Sequence, residues 1–327
     1  MKDRFGRTIE YMRISVTDRC NLRCRYCMPD DIEKRPMNEL LRYEQITELA
    51  QAAIKCGITH FRLTGGEPLV RKGVTELVRM LKNLPGTEEV TLTTNGILLP
   101  DLAGTLAEAG LDGINISLDT LKPERFTMIA GKDSGLLDRT LEGIEKSVEL
   151  GLRTKLNCVL QKGVNEEEWK ELIQFAHSRP IDVRFIEMMP IGCGIKVEGI
   201  GNDELMKQLL AEYPQAVPDE RTHGSGPARY IRIPGFTGSI GFISAVHGPF
   251  CSTCNRIRLT STGTLKSCLC YDTGMETSWI FKEGDPEARA ALLEDAVRQA
   301  TLMKPEKHCF SEPEKITEHK LMTQIGG

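Results

Sequence analysis

Residues 13–29 read RISVTDRCNLRCRYCMP, a strand-like run that opens directly into a loop holding Cys20, Cys24 and Cys27. The first part alternates. Ile14 and Val16 point one way, and Arg13, Ser15 and Thr17 the other, as an extended backbone requires. The second part spaces its cysteines C-x3-C-x2-C, one short of a closed four-thiolate metal site and one too many for a single disulfide. Parallel α/β folds place their chemistry where this loop falls, just beyond the C-terminal end of a strand.

The same strand-then-helix pattern recurs along the chain. Strand-like runs YMRISVT, HFRLTGG, EVTLTTNG, GINISLD, RTKLNCVL and DVRFIEM alternate with amphipathic stretches such as RYEQITELAQAAIKCG and GVTELVRMLKNLP. Six successive βα units imply a parallel sheet with right-handed crossovers. Phe61 and Leu63, Val90 and Leu92, Ile114 and Ile116, and Val183 and Phe185 continue the apolar face begun by Ile14 and Val16. The opposite face carries Arg62 and Thr64, Thr91 and Thr93, Asn115, Ser117 and Asp119, Lys155 and Asn157, and Arg184. An ordinary eight-stranded barrel fills its interior with Val, Ile and Leu, and a doubly wound sheet is apolar on both faces. Burying Arg13, Arg62, Lys155 and Arg184 unpaired costs several kcal/mol each, on the order of the isolated-ion penalty. The expected fold is therefore α/β: a partial, open TIM-like barrel of about six βα units whose concave face holds a large anion. The competing explanation is internal pairing of the cations with Asp119 and Glu187.

Of the 327 residues, 27% are charged and 40% hydrophobic, as in an ordinary globular protein. The N-terminal MKDRFGRTIEYMRIS has no secretory apolar run, and no stretch approaches membrane-span length, so a cytoplasmic location is expected. Eleven clustered cysteines suggest metal ligation or catalysis, not a disulfide framework. A net charge of −4 without a basic run gives no reason to expect a nucleic-acid partner. VPDERTHGSGPARYIRIPGFTGS reads as a linker into short strands, with a boundary near residue 220. This divides the chain into a barrel over 1–220 and a smaller C-terminal α+β extension over 221–327.

With Tyr26 before its last cysteine, C-x3-C-x2-C resembles the radical S-adenosylmethionine superfamily. The resemblance implies that Cys20, Cys24 and Cys27 hold three irons of a [4Fe-4S] cluster, with the cosubstrate S-adenosylmethionine on the fourth. TGGEP (64–68) looks like the superfamily's segment for the cosubstrate amino group, its glycine pair admitting a close backbone approach to a ligand. NISLD ends the fourth strand with Ser117 facing the cavity.

A second set, Cys251, Cys254, Cys268 and Cys270, has by spacing alone the four thiolates of a structural zinc site. A hairpin turning at STG would bring Cys268 back toward residues 256–258, with Cys270 on the same side of the strand. Arg256 and Arg258, on one face of the first hairpin strand, suit a site for a polar anion instead. Taken together, LTGGEPLVR, LTTNG, KLNCVLQKGVN, RFIEMMPIG, CSTCNRIRLTSTG and a terminal Gly-Gly resemble the GTP 3′,8-cyclase family of molybdenum cofactor biosynthesis. That resemblance implies a second [4Fe-4S] cluster on Cys251, Cys254 and Cys268, with Cys270 a bystander. It implies GTP contacts by Arg13, Arg62, Thr93, Lys155 and the Arg256–Ile257–Arg258 run, of which Arg13, Arg256 and Arg258 matter most for turnover. Cosubstrate contacts fall on Tyr26, Gly66, Ser117 and Met189, and Gly326–Gly327 reaches the active site. Implied partners are an electron donor and, downstream, cyclic pyranopterin monophosphate synthase; a homodimer is compatible with the resemblance. Two other classes stay open: a radical peptide or protein maturase with an auxiliary cluster, and a non-enzymatic iron–sulfur carrier.

Overall fold

The computed structural model describes residues 1–29 and 35–326. In chain order the first half runs β1 (Tyr11–Ser15), α1 (Tyr43–Lys55), β2 (His60–Thr64), α2 (Val74–Lys82), β3 (Glu89–Thr94) and α3 (Leu99–Glu108). It continues with β4 (Gly113–Ser117), α4 (Pro123–Ala130), α5 (Gly135–Glu149), β5 (Arg153–Cys158), α6 (Trp169–Leu172), α7 (Gln174–Ser178) and β6 (Asp182–Ile186). Beyond these lie α8 (Asn202–Glu212), β7 (Val217–Pro218), β8 (Arg229–Arg232), β9 (Ile240–Ile243), β10 (Arg256–Leu259), β11 (Thr264–Lys266) and β12 (Gly274–Glu276). The chain closes with α9 (Pro286–Leu302) and α10 (Met322–Ile325).

The twelve strands form one sheet in the order β12-β11-β10-β1-β2-β3-β4-β5-β6-β9-β8-β7. Strands β1 to β6 are parallel and follow sequence order, as short crossovers through amphipathic helices require. Two later strands extend the parallel run: β10 beside β1 and β9 beside β6. The hairpin partners β11 and β8 are antiparallel to these. Among the described residues no ladder joins β12 to β7, so the barrel is open, as expected from the sequence.

Alternation along the strands decides the layers. Ile14, Phe61, Leu63, Val90, Leu92, Ile116 and Val183 are fully buried in one core beneath the helices. Each is worth about 1.5–3 kcal/mol of transfer free energy. The helix α9 joins the same core through Leu293, Ala296 and Val297, and lies on α1 with Arg289 to Glu48 (2.8 Å) at its edge. Such half-exposed ion pairs contribute about 0–1 kcal/mol, so the apolar stripe holds α9 in place.

Register aligns the inner face. Arg13 is the direct neighbour of Arg258 on one side and of Arg62 on the other, so three arginines from β10, β1 and β2 share one row. The stretch read as a linker does more than connect. It makes the β7–β8 hairpin and then a floor under the barrel, where His223 stacks on Tyr230 (3.9 Å between ring centres, 14° interplanar). His223 also meets Asp182 (2.8 Å) and Asp219 (3.1 Å), which latches the loop to the start of β6. No helix among the described residues is long and apolar enough to cross a membrane.

Candidate active site

A cavity of about 330 Å³ opens at the C-terminal ends of the strands, and both cysteine sets line it: Cys20, Cys24 and Cys27 on one side, Cys251, Cys254 and Cys268 on the other. Among the described residues no group of three or more His, Cys, Asp or Glu is gathered so as to hold a single metal ion. Three cysteines in each set are a donor set that would suit an iron–sulfur cluster. Burial pushes the thiols of the first set up: Cys20 to about 11 and Cys27 to about 12, and Cys24 upward, with neighbouring cysteines adding to the shift at Cys24 and Cys27. Iron binding is what would deprotonate such a trio.

The loop of the first set is docked by backbone. Gly66 N–H donates to Thr17 O (2.7 Å) and Glu67 N–H to Arg19 O (2.8 Å). A Cβ on Gly65 would stand 2.5 Å from Thr17 O and one on Gly66 2.4 Å from Arg19 O. The glycine pair thus lets the cysteine loop approach closely, while both glycines also line the cavity. Glu67 is buried with both oxygens engaged, by Leu69 N–H (3.0 Å), the Thr94 hydroxyl (2.7 Å) and Asn95 N–H (2.7 Å). Burial outweighs these donors and lifts its carboxyl to about 7. The Tyr26 hydroxyl donates to Asp119 (2.7 Å), whose other oxygen takes Val159 N–H (2.9 Å), and burial lifts Asp119 to about 6.

Asp119 is therefore committed to Tyr26. Glu187 accepts from Asn202 N–H (3.0 Å), Val246 N–H (2.7 Å) and His247 N–H (3.0 Å). Both carboxylates are thus engaged by other groups, whereas Lys155 does meet a strand carboxylate, Asp182 at the start of β6 (3.6 Å), as the pairing alternative expects for one cation. Arg184 is held by the amide oxygens of Asn115 (2.5 Å) and Asn157 (2.6 Å). Arg62 lies over the Tyr11 ring (5.4 Å to the ring centre), and Arg256 over Tyr11 (5.8 Å) and Phe250 (5.3 Å). Burial lowers the pKa of Arg13 well below the ordinary value, with Arg258, Arg62 and Arg256 adding repulsion. It lowers that of Arg258 to about 10, with Arg256 next in effect. The arginine row makes this face of the cavity electropositive.

On the other side of the cavity, β10 and β11 turn at Ser261–Gly263, and Arg258 pairs with Lys266, as the hairpin reading anticipates. The strand ends at Lys266, so alternation stops there. Cys268 lines the cavity, whereas Cys270 turns into a satellite core with Ile191, Phe310 and Ile325, its sulfur 3.2 Å from that of Cys309. The tail returns to the same place. Arg258 donates to Gly326 O (2.9 Å), and the Thr64 hydroxyl stands 3.4 Å from the same oxygen. Gly326 has φ of 78°, which explains a glycine there; Gly327 lies outside the described residues.

Of the residues singled out in the sequence, Arg13, Tyr26, Arg62, Gly66, Thr93, Ser117, Met189, Arg256 and Arg258 line the cavity. Ile257 is buried in the apolar core. Lys155 lines a smaller hollow beneath, with Arg62, Arg184 and the Gly224–Gly226 loop, and lies 3.6 Å from Asp182. Burial, then Arg184, lowers Lys155 to about 7. Sequence reading missed three groups around the second cysteine set. Lys304 Nζ reaches Cys254 Sγ (3.6 Å), His308 N–H reaches Cys251 Sγ (3.4 Å), and Arg7 ties Cys251 O (2.8 Å) to Pro305 O (2.6 Å). In sequence they are a basic residue after a helix, a lone histidine and an N-terminal arginine, with nothing to set them apart.

An open parallel barrel that presents a C-x3-C-x2-C loop and a docked Gly-Gly-Glu segment at its mouth is the architecture of the radical S-adenosylmethionine enzymes. The family model described as Radical SAM superfamily matches residues 14–176, and that described as Molybdenum Cofactor Synthesis C matches 181–310. Proteins named GTP 3′,8-cyclase from Clostridium perfringens (strain SM101 / Type A) and Alkaliphilus oremlandii are 43% and 42% identical, each alignment covering 100% of both chains. The chain belongs to the GTP 3′,8-cyclase family. Streptococcus suis SuiB bound to S-adenosylmethionine shares the fold at a TM-score of 0.67, over 97% of this chain and 78% of that one, but at 16% identity.

Proposed function

We propose that this chain converts GTP to 3′,8-cyclo-7,8-dihydroguanosine 5′-triphosphate, the first step of molybdenum cofactor biosynthesis. The observation that carries this reading is the arginine row Arg258–Arg13–Arg62, set in one cavity between two three-cysteine sets. Two [4Fe-4S] clusters fit those sets. Cys20, Cys24 and Cys27 would hold the first cluster, which with S-adenosylmethionine would supply radical hydrogen abstraction at C3′ of the ribose, and Cys251, Cys254 and Cys268 would hold the second beside the base.

The side chains bind and orient. Arg13, Arg62, Arg256 and Arg258 take the triphosphate and ribose side of the substrate with charge-assisted hydrogen bonds. Arg256 Nε and Thr93 Oγ1 are buried with no hydrogen-bond partner among the described residues and serve as donors to the substrate. Lys155, in the hollow below, meets the far end of the phosphate chain. Tyr26 and Asp119 hold the cysteine loop against β4 and β5, while Gly66, Ser117 and Met189 frame the cosubstrate. Residues 1–220 thus carry the radical chemistry, and 221–327 the second cluster, Arg256, Arg258 and the tail. The hydrogen removed from C3′ leaves with deoxyadenosine, so one electron and one proton must enter to complete the product. We therefore include an external electron donor, a cytoplasmic location and consumption of the product by cyclic pyranopterin monophosphate synthase.

Anaerobic incubation of the dithionite-reduced, reconstituted protein with S-adenosylmethionine, with and without GTP, tests the reading by quantifying 5′-deoxyadenosine. A GTP-stimulated rise that vanishes in Cys24→Ala is expected. Equal slow formation with and without GTP would refute the substrate.

A further inference from the structure

The segment after α9 reads KPEKH (304–308) and wraps the second cysteine set from outside. Lys304 is 4% exposed, and its ammonium donates to Arg256 O (2.7 Å) and Ser267 O (3.0 Å) and reaches Cys254 Sγ at 3.6 Å. It stands between the two strands that deliver Cys254 and Cys268. Two backbone carbonyls and a thiolate are an acceptor set for a charged ammonium. The fold has buried a cation against a ligand sulfur, at a position where a methionine would have filled the space more cheaply.

The two cysteine sets experience different fields. Near the first set stand Glu67 and Asp119, offset in part by Arg23. At the second set the Lys304 ammonium reaches Cys254 Sγ (3.6 Å), and Arg256 follows Cys254 by two residues on the hairpin and lines the same cavity. Hydrogen bonds and positive charge at cluster sulfurs raise a reduction potential, because the electron that enters adds negative charge next to them.

We propose that Lys304 is the positioning residue that sets the reduction potential of the second cluster, holding it above the value the same three cysteines would otherwise give. The proposal rests on the reading that Cys251, Cys254 and Cys268 carry a [4Fe-4S] cluster. It gives that cluster a defined place in the electron count, as the site in the cavity where an incoming electron is better held. Lys304 acts through Cys254, and through the hairpin that bears Arg256, without touching substrate.

The test is an electron-paramagnetic-resonance redox titration of the reconstituted full-length enzyme, without GTP, on the parent, Lys304→Met and Lys304→Arg. The parent should hold about eight irons and show two one-electron steps. In Lys304→Met one step should become at least tenfold less favourable, about 59 mV per tenfold for one electron, and the other should stay within twofold. Lys304→Arg should restore the parent value, since it keeps the charge. Two unmoved steps, or two steps moved together, overturn the proposal. So does a Lys304→Met protein that holds only four irons while Lys304→Arg holds eight, because Lys304 is then a scaffold. A parent with about four irons in total overturns the cluster reading itself and the proposal with it.

Discussion

Replacing Arg258 by methionine separates what the fold needs from what the substrate needs. Arg258 is buried and donates to Gly326 O at 2.9 Å, and burial with the nearby Arg256 lowers its pKa to about 10. A folded pKa below the unfolded one is a cost to the fold at every pH under about 10, and here it amounts to about 3 kcal/mol against the charged side chain. Methionine removes that penalty, keeps most of the apolar stem, and loses one charged hydrogen bond worth about 1.5–3 kcal/mol. The substrate-free holoenzyme should therefore stay within about 2 kcal/mol of the parent, with the balance toward greater stability. Binding moves the other way. Losing a charged contact to the phosphates weakens GTP by about 10- to 150-fold, the same 1.5–3 kcal/mol read as affinity. Anaerobic denaturation with and without GTP reads both effects at once. At a concentration 100-fold above its Kd, GTP stabilises the parent by about 2.7 kcal/mol, and a hundredfold weaker variant by only about 0.4 kcal/mol. A variant that unfolds well before the parent yet keeps the full GTP increment would refute the assignment of Arg258 to substrate.

Three further outcomes follow from the same geometry. Cys270→Ala should retain the iron content of the parent, because its sulfur faces Cys309, while Cys268→Ala should lose about four irons by chemical analysis. Glu67 titrates at about 7, above its unfolded value, so its contribution to stability is fully present below about pH 4 and is lost as pH rises through 7. Between pH 5.5 and 7.5 the stability of Glu67→Gln should gain about 2 kcal/mol relative to the parent in urea titrations, and a pH-independent difference would contradict the buried carboxyl. Lys155→Met should weaken GTP at least tenfold in calorimetry while leaving guanosine within about twofold, since Lys155 sits in the hollow below the main cavity.

What the sequence made legible was whatever a fixed period governs. A strand repeats every two residues, so Arg13, Arg62, Thr93, Ser117 and Arg184 could be assigned to one face before any fold was known, and all five line the cavity. The same rule misplaced Cys270, because β11 ends at Lys266 and the cysteines beyond lie on irregular backbone. Lys304 and Arg7 were invisible for another reason. A lysine just after a helix is normally solvated, and only the docking of α9 on α1 and the return of the chain to the hairpin bury it. Nor does any local signal announce that β10 pairs with β1 across about 245 residues, although the row of arginines depends on it.

That row is also where the fold argues for the function. Adjacent strands lie about 4.8 Å apart, and two like charges at about 5 Å repel by about 3 kcal/mol at an effective dielectric of 20. Arg258, Arg13 and Arg62 occupy three neighbouring positions of one register, with Arg256 on the same strand as Arg258. Folding alone would favour apolar side chains there, as in closed barrels, where the interior is filled and nothing is bound. With no ladder from β12 to β7 among the described residues the barrel stays open instead, and both cysteine sets line its cavity. The repulsion relieved on binding is thus part of the affinity for a polyphosphate, and substituting any one member of the row should lower that affinity while easing the empty fold.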